Sequence, residues 1–431
     1  MSTPNKKNLN ASRRTLLKGV GMATVATSLP PLGGALAQGA PAAKGPKLLE
    51  MDGKAKLAVL GDKPLVAETQ AELLDDAVTP TDKLFVRNNG QVPDNAGDAK
   101  SWKIKVDGEV NTPLEFTVAD MIGRFPNVTY QLMLECGGNG RSFFTPEARG
   151  NQWTNGGAGC PMWTGVRLAD VLKAAGLKSS AVYTGHYGKD PTLAGETDKP
   201  SISRGMPIAK AMEEHTLIAF KLNGQDLPLI HGAPVRLIVP GWAGSLSTKW
   251  LTRIWIRDKE HDGPGMGGFS YRVPKKPIVP GSKGDDKDMA ILESMPVRSV
   301  ITFPADGARL PAGTKKLDLR GHTWAGDNEV KSVDISTDYG ATWKTAKVDA
   351  PKNKFAWQRF TASVDLPTTG YYEVWSKATD AKGRLSDFWA PLTATVEGML
   401  IALAERYARD GDRANVILFG ELVNTQKGFD Y

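Results

Sequence analysis

Cysteine and histidine, the residues that most often bind metals or attach haem, are scarce in this chain. Its 431 residues include only two cysteines, Cys136 and Cys160, and five histidines. There is no Cys-x-x-Cys-His motif, so we expect no c-type haem on this chain. No two histidines have the i, i+4 spacing of a helical zinc site, and no Gly-x-Gly-x-x-Gly unit lies between a strand-like and a helix-like segment. These absences argue against a c-type cytochrome, a zinc hydrolase with a helical histidine pair and a dinucleotide dehydrogenase.

Blocks of like charge and long apolar runs are also missing. Lys and Arg number 54 against 47 Asp and Glu, and the resulting net charge of +7 is scattered, so we expect no nucleic-acid binding. After residue 37 no apolar run has the length of a transmembrane helix, so we expect no membrane span. The length of the chain, with 41% hydrophobic residues, predicts a globular protein of two or three domains.

The first residues have the pattern of an export signal. Residues 12–18 (SRRTLLK) form a twin-arginine motif, and residues 35–37 (ALA) have the small-x-small pattern of a cleavage site. The alternative is a membrane anchor, but the apolar stretch at 19–36 contains prolines and glycines that would make a poor spanning helix. We therefore predict that residues 1–37 are a twin-arginine signal peptide and that the protein is periplasmic. This pathway exports folded proteins, which suits a cofactor inserted before export.

The rest of the chain is predicted to have an α+β fold class followed by a β-sandwich. Residues 38–78 are rich in Ala, Gly, Pro and Lys and are interpreted as an N-terminal arm and linker. Residues 79–290 mix strand-like and helix-like pieces. Short strand-like pieces separated by turns at 295–396 predict a sandwich of immunoglobulin type. Residues 397–431 change to helical spacing and are interpreted as an atypical helical tail.

Several elements of the α+β region follow from local patterns. The expected elements are a hairpin beginning at 102–108, an amphipathic helix at 168–175 ended by Gly176, strands at 235–241 and 249–257, and a long loop at 262–287.

Cys136 lies where a strand-like run at 130–134 meets a glycine-rich turn. A thiolate is a soft metal ligand, and glycines let the backbone approach a bulky cofactor. Arg141 lies five residues further on and could stabilise a thiolate or hold an anion. Taken alone, the pattern is more typical of a buried strand-end cysteine, and two cysteines in an exported protein often form a disulfide.

Segments on both sides of Cys136 change this interpretation. They are FVRNN at 85–89, LECGGNGR at 134–141, MWTGVRL at 162–168, HGAPVR at 231–236 and STKW at 247–250. In this order they resemble the sulfite oxidase family of molybdopterin enzymes. A further set is similar to one branch of it, the molybdenum subunit of the Sox sulfane dehydrogenase (SoxC): GRSFF at 140–144, GNQWTNG at 150–156, ISRG at 202–205 and HDGPGM at 261–266.

The resemblance implies a molybdenum–molybdopterin cofactor in a catalytic domain at 79–290, followed by an immunoglobulin-like dimerisation domain at 295–396. Cys136 would be the thiolate ligand of molybdenum. The residues expected to hold the cofactor are Arg87, Asn88, Asn89, Cys136, His231, Arg236, Ser247, Thr248 and Lys249. The catalytic residues expected around the substrate are Cys136, Arg87, Arg141, Trp153 and Arg204. Taken singly, His231 also fits a core histidine and Arg236 a structural ion pair.

Three features depart from the family pattern. The family's sulfite oxidases carry a tyrosine near the position of residues 202–205, where this chain has none. Arg204 is expected to place a cation there, which favours a sulfur substrate other than free sulfite. The acidic pterin contact is either Asp190 or Asp198. The tail does not match the usual ending, so the source of one further pocket arginine stays open. Cys160 is interpreted as structural.

The resemblance implies oxidation of sulfane sulfur bound to a sulfur-carrier protein, in thiosulfate oxidation, with electrons passed to a c-type cytochrome subunit. A homodimer or heterotetramer is expected. The first alternative is a sulfite dehydrogenase acting on free sulfite, and a more distant one is a reductase of the same fold. The remaining alternative is a scaffold protein without a cofactor.

Overall fold

Short β-strands are the main regular structure of the computed structural model, which describes residues 45–94, 97–276, 284–386 and 390–396. The predicted signal peptide and helical tail lie outside the described residues. The strands of the first part are β1 (Ala58–Asp62), β2 (Leu65–Glu68), β3 (Val86–Arg87), β4 (Lys103–Gly108), β5 (Leu114–Thr117), β6 (Asn127–Gln131), β7 (Leu134–Glu135), β8 (Ala158–Gly159), β9 (Met162–Arg167), β10 (Tyr183–Gly188), β11 (Ser203–Pro207), β12 (Leu217–Leu222), β13 (Gln225–Asp226), β14 (Arg236–Ile238), β15 (Leu251–Arg257), β16 (Arg272–Pro274) and β17 (Met289–Ile291).

Helices contribute little to the described part of the chain. The α-helices there are α1 (Val118–Arg124), α2 (Leu168–Ala175) and α3 (Ile208–Ala211), and short 3-10 helices occur at Ala71–Leu74, Arg141–Phe143, Leu229–His231, Gly244–Leu246 and Asp286–Asp288. The predicted helix at 168–175 is confirmed as α2. Its apolar side chains at i, i+3 and i+4 spacing are buried, and Gly176 ends it with a φ of +68°. None of these helices has the length and apolarity that a membrane crossing requires.

Two five-stranded arrangements form the first part of the fold. One sheet has the order β11-β10-β15-β4-β5, and the other has the order β13-β12-β9-β6 with β14 also paired to β12. The predicted hairpin is confirmed as β4–β5, at one edge of the first sheet. The predicted strands at 235–241 and 249–257 are confirmed as β14 and β15. The segment at 262–287 is not a loop throughout, because β16 pairs with β17.

The segment predicted to be an arm and linker is folded in its described part. Strands β1, β2 and β3 form a small antiparallel sheet, so this segment pairs with residues of the catalytic region. Leu57 and Val66 are buried completely. The Ala, Gly and Lys content concealed this sheet, because β1 and β2 are short and the two-residue turn between them, Lys63-Pro64, lacks the Asn-Gly or Asp-Gly signal of a hairpin.

The second part of the fold is a β-sandwich. Its strands are β18 (Arg298–Phe303), β19 (Ala308–Leu310), β20 (Lys316–Trp324), β21 (Val330–Ser336), β22 (Lys344–Thr345), β23 (Lys347–Val348), β24 (Gln358–Asp365), β25 (Gly370–Asp380) and β26 (Ala390–Val396). The two sheets have the orders β18-β20-β24-β23 and β19-β26-β25-β21-β22. Leu319 and Phe360 from the first sheet share one core with Val333 and Val374 from the second.

A tyrosine at the start of β25 supports the predicted immunoglobulin type. The Tyr372 hydroxyl donates to the backbone oxygen of Thr368 at 2.8 Å and accepts from its backbone N–H at 3.0 Å. A tyrosine corner of this kind is a feature of immunoglobulin-like sandwiches. The immunoglobulin type itself stays a prediction.

A buried histidine in this sandwich predicts sensitivity to acid. The His322 ring stacks on Trp357 with centroids 3.9 Å apart, and burial together with the Arg359 charge lowers the pKa of His322 to about 4. The unfolded chain takes up this proton near pH 6.5, so stability present above pH 6.5 is lost as the pH falls toward 4, by up to about 3 kcal/mol. Denaturant unfolding at pH 7 and pH 5 should show a smaller decrease for His322→Gln than for the wild type. Equal decreases would contradict the assignment.

Candidate functional site

Cys136 is held at the end of β7 by backbone contacts. Its N–H donates to Gly157 O at 2.7 Å, and the Gly138 N–H donates to its Sγ at 3.4 Å. A Cβ at position 157 would lie 2.9 Å from Trp153 Cε3 and 3.1 Å from the Cβ of Cys136, so a larger residue would force these neighbours to shift. Burial raises the pKa of the Cys136 thiol, while the Gly138 N–H, Arg87 and Arg141 act in the opposite direction. A bound metal would hold the sulfur as thiolate.

The Cys136 thiol lies on the wall of a cavity of about 700 Å³, a volume that includes the open mouth. The cavity is lined by Phe85, Arg87, Asn89, Leu134, Cys136, Gly137, Asp190, Ile202, His231, Arg236, Gly244, Ser245, Ser247, Thr248, Lys249, Trp250 and Tyr271. All of the predicted cofactor-binding residues except Asn88 are therefore on its wall. Asn88 lies directly behind the wall, where its side-chain oxygen accepts a hydrogen bond from Lys249 Nζ.

Buried cations dominate the charge of this cavity. Arg236 is 4% exposed, and its guanidinium donates to His231 O at 2.9 Å and to Ser247 O at 2.8 Å rather than to a carboxylate. Burial lowers the pKa of Arg236 to about 9 and, together with the Arg236 charge, lowers the pKa of Lys249. The Nη1 atom of Arg87 is buried without a hydrogen-bond partner in the described residues. The arrangement is suited to an anion such as a phosphate.

Among the described residues, one carboxylate lies on the cavity wall, and it belongs to one of the two candidates for the acidic contact. Asp190 lies on the wall and accepts a hydrogen bond from the Ser201 hydroxyl, whereas Asp198 is exposed on a loop. Burial raises the pKa of Asp190, against the lowering effects of Ser201 and Lys249. Asp190 is thus the acidic side chain that a ligand bound in the cavity would contact.

Three of the predicted catalytic residues lie behind the wall rather than on it. Arg141 donates to Asn151 O at 3.0 Å and holds the glycine-rich loop. Trp153 is 1% exposed and packs edge-on against Phe85, with ring centroids 5.7 Å apart. Arg204 is also 1% exposed, and its guanidinium carbon lies 4.4 Å from the ring centroid of Tyr271. Of the predicted catalytic residues, the structure brings only Arg87 and Cys136 to the cavity.

Sequence reasoning missed two groups near the cavity. Tyr271 supplies a tyrosine to the wall, but from the glycine-rich segment that was expected to be a loop. Lys54 comes from the presumed linker, and its Nζ lies 3.1 Å from His231 Nε2. Neither has a local motif in the sequence that would have indicated its position.

Cys160 and Cys136 are both free and buried, so the alternative of a disulfide between them is wrong for this structure. Cys160 is completely buried, and its sulfur accepts from the Trp357 N–H at 3.4 Å. Burial raises the pKa of the Cys160 thiol to about 12, which makes it unreactive at neutral pH.

Comparison with known proteins first gives the class. Residues 89–264 match the oxidoreductase molybdopterin binding domain, and residues 289–401 match the Mo-co oxidoreductase dimerisation domain. The fold and the cavity therefore belong to a molybdopterin-binding oxidoreductase with a dimerisation domain after it.

Individual relatives then give the family. Sulfite oxidase of Gallus gallus is 32% identical over 336 residues, covering 75% of this chain and 72% of that protein. Mitochondrial sulfite oxidase of Homo sapiens is 32% identical, covering 72% of this chain and 57% of that protein. The chain belongs to the sulfite oxidase family of molybdopterin oxidoreductases. The crystal structure of the sulfane dehydrogenase SoxCD from Paracoccus pantotrophus is also similar, with a TM-score of 0.64 and 27% identity, covering 77% of this chain and 80% of that one.

The residues present fit the family's cofactor. Cys136 offers one soft ligand on the cavity wall. Among the described residues, the basic side chains of Arg236 and Lys249 are buried without a carboxylate at hydrogen-bond distance, and Arg87 has a buried N–H group without a partner. Buried cations and free donors of this kind are expected where a phosphate binds.

Proposed function

We propose that this chain is a periplasmic molybdenum enzyme that oxidises sulfane sulfur held on a carrier protein and passes the electrons to a c-type cytochrome subunit. The observation that carries the proposal is the Cys136 thiol on the wall of a cavity rich in buried cations. The similarity to SoxCD over 77% of the chain supports sulfane sulfur as the substrate. The match to a dimerisation domain supports a homodimer or a heterotetramer with the cytochrome.

In this proposal the chain's own residues bind and orient the reactants. Cys136 binds molybdenum as a thiolate, and the cofactor-binding residues named above hold the pterin and its phosphate. When bound, the molybdenum cofactor supplies oxygen-atom transfer to sulfur and takes up two electrons. Arg87 attracts the anionic end of the substrate toward Cys136. Asp190 accepts a hydrogen bond from the pterin.

The residues behind the wall fix its shape. Arg141 holds the glycine-rich loop through Asn151, and Trp153 supports Phe85. Arg204 places its cation behind the Tyr271 ring, so that it acts on the substrate through that ring rather than by contact. We therefore assign all three residues to the site as positioning residues, which support the cavity wall without contacting the substrate.

A sulfite dehydrogenase acting on free sulfite is the second candidate. The 32% identity to sulfite oxidases favours it, and so does the tyrosine that Tyr271 brings to the cavity wall. A scaffold protein without a cofactor would not account for the buried basic side chains and the Cys136 thiol at the cavity.

Turnover assays separate these candidates. The chain is purified with its molybdenum and cytochrome partner and is given either free sulfite or a carrier protein with a cysteine persulfide. We expect kcat/KM for the carrier-bound sulfane to exceed that for sulfite by at least about tenfold, which corresponds to ~1.4 kcal/mol. The opposite preference would identify a sulfite dehydrogenase. A chain that binds no molybdenum and oxidises neither compound would be a scaffold.

A further inference from the structure

Lys54 lies in the segment ahead of β1, far along the chain from the cavity residues. Its Nζ donates to Thr81 O at 2.8 Å and to Leu84 O at 2.6 Å, and lies 3.1 Å from His231 Nε2. A lysine ammonium has three N–H donors and no acceptor. All three donors of Lys54 are therefore used, and its position is fixed by two backbone carbonyls and one ring nitrogen.

This contact decides which nitrogen of His231 carries the proton. Because a lysine ammonium only donates, His231 Nε2 must be the acceptor, and the ring's proton is on Nδ1. Burial and the charges of Lys54, Lys249 and Arg236 lower the pKa of His231 well below its ordinary value, so the ring is neutral. The His231 ring lies on the cavity wall, where an N–H at Nδ1 can donate to a guest.

The ammonium group of Lys54 also adds positive charge beside the cavity. Within the part of the chain that the structure describes, no carboxylate accepts a hydrogen bond from Lys54, although Asp82 is near enough to act on it by its charge. Burial lowers the pKa of Lys54 to about 8, so it is mainly an ammonium at neutral pH. It adds to the basic side chains of Arg236 and Lys249, and a bound phosphate would stabilise the charged form of all three.

We propose that Lys54 is a positioning residue of the cofactor site: it fixes His231 as the Nδ1–H tautomer and so strengthens the hold of the chain on the pterin cofactor. The segment before β1 thereby becomes part of the cofactor site instead of a linker. The inference rests on the cofactor named in the proposed function but not on its substrate. Loss of Lys54 is therefore expected to weaken cofactor binding through its effect on His231. Changes to the protein surface around Lys54 are expected to have no such effect.

The first experiment determines the tautomer without relying on the cofactor. The chain is labelled with ¹⁵N-histidine, and the His231 signal is assigned by comparison with His231→Gln. We expect ring shifts of the Nδ1–H tautomer in the wild type, and a shift toward a mixture of tautomers in Lys54→Met. Nε2–H shifts in the wild type would overturn the proposal.

The second experiment measures cofactor loss. Wild type, Lys54→Met and Lys56→Met are loaded in the same host, and the molybdopterin and molybdenum that remain are measured during dialysis. We expect Lys54→Met to lose cofactor about tenfold faster, as for other groups that orient a ligating residue. Lys56→Met is the matched control, because Lys56 is exposed and pairs at the surface with Glu50. Equal rates for the two variants would overturn the proposal.

A double-mutant cycle separates this role from a general loosening of the segment. In a His231→Ala background, Lys54→Met should accelerate cofactor loss by less than twofold, because its target is absent. An undiminished tenfold effect would show that Lys54 acts without His231 and would overturn the proposal. If the wild type holds cofactor but oxidises no sulfur compound, only the proposed function fails.

Discussion

Cys136→Ser is expected to reduce turnover by at least about a thousandfold, or ~4 kcal/mol in activation free energy, while the chain still folds. Serine is nearly isosteric with cysteine, but its hydroxyl is a hard, neutral ligand that replaces a soft thiolate. The Cys136 sulfur accepts only a long hydrogen bond from Gly138, at 3.4 Å, so the native fold depends little on it. The measurement is kcat per bound pterin, together with denaturant unfolding.

The other cysteine provides the matched control for this substitution. Cys160 is completely buried against Trp357 and is not on the cavity wall. We expect Cys160→Ser to cost about 1–3 kcal/mol of stability, because it buries a hydroxyl in an apolar core, and to retain turnover. If Cys136→Ser kept normal turnover per bound pterin, Cys136 would not be the metal ligand.

Arg298→Met is expected to destabilise the chain by about 3–5 kcal/mol, because it leaves a buried carboxylate without its cation. Glu135, directly before Cys136, is 2% exposed, and its carboxylate lies 2.7 Å from Arg298 Nε. Trp324 Nε1 donates to the same carboxylate at 2.7 Å, and Arg298 also donates to Asn139 O at 3.0 Å. The sandwich thus holds both sides of the Cys136 turn, and we expect turnover to decrease with stability.

Rescue and control variants make this second prediction specific. Adding Glu135→Gln to Arg298→Met removes the buried charge, so the double variant should be more stable than Arg298→Met alone by about 1–3 kcal/mol. Lys103→Met breaks an exposed pair with Glu115 and should leave stability nearly unchanged. Denaturant unfolding of the loaded protein measures all of these. A double variant no more stable than Arg298→Met would show that the Glu135 charge is not the cause.

The sequence predicted those parts of the fold that have a local signature. Helix α2 was predicted to the residue, because its apolar spacing and Gly176 both lie within one short segment. Cys136 at a strand end before glycines, and the family motifs in order, located the cavity wall. The small sheet β1-β2-β3 was missed, because its strands are short and the turn between β1 and β2 has no Asn-Gly or Asp-Gly hairpin signal.

The site was predicted less completely than the fold, because several of its contacts join residues that are far apart in the sequence. Lys54 meets His231, and Glu135 meets Arg298, across more than a hundred positions of sequence, and no periodicity reports such pairs. Motif matching predicted Trp153 as a catalytic residue, but it does not distinguish a side chain on the cavity wall from one packed behind it, as Trp153 is against Phe85. That distinction depends on packing, which the three-dimensional structure provides.

X-ray absorption at the molybdenum edge tests the central claim most directly. The loaded wild type and loaded Cys136→Ser are compared for the number of sulfur neighbours of molybdenum. If Cys136 is the protein ligand, the wild type has one sulfur neighbour more than the variant, in addition to those that the pterin supplies to both. An identical number of sulfur neighbours in the two proteins would contradict the assignment of Cys136 as the molybdenum ligand.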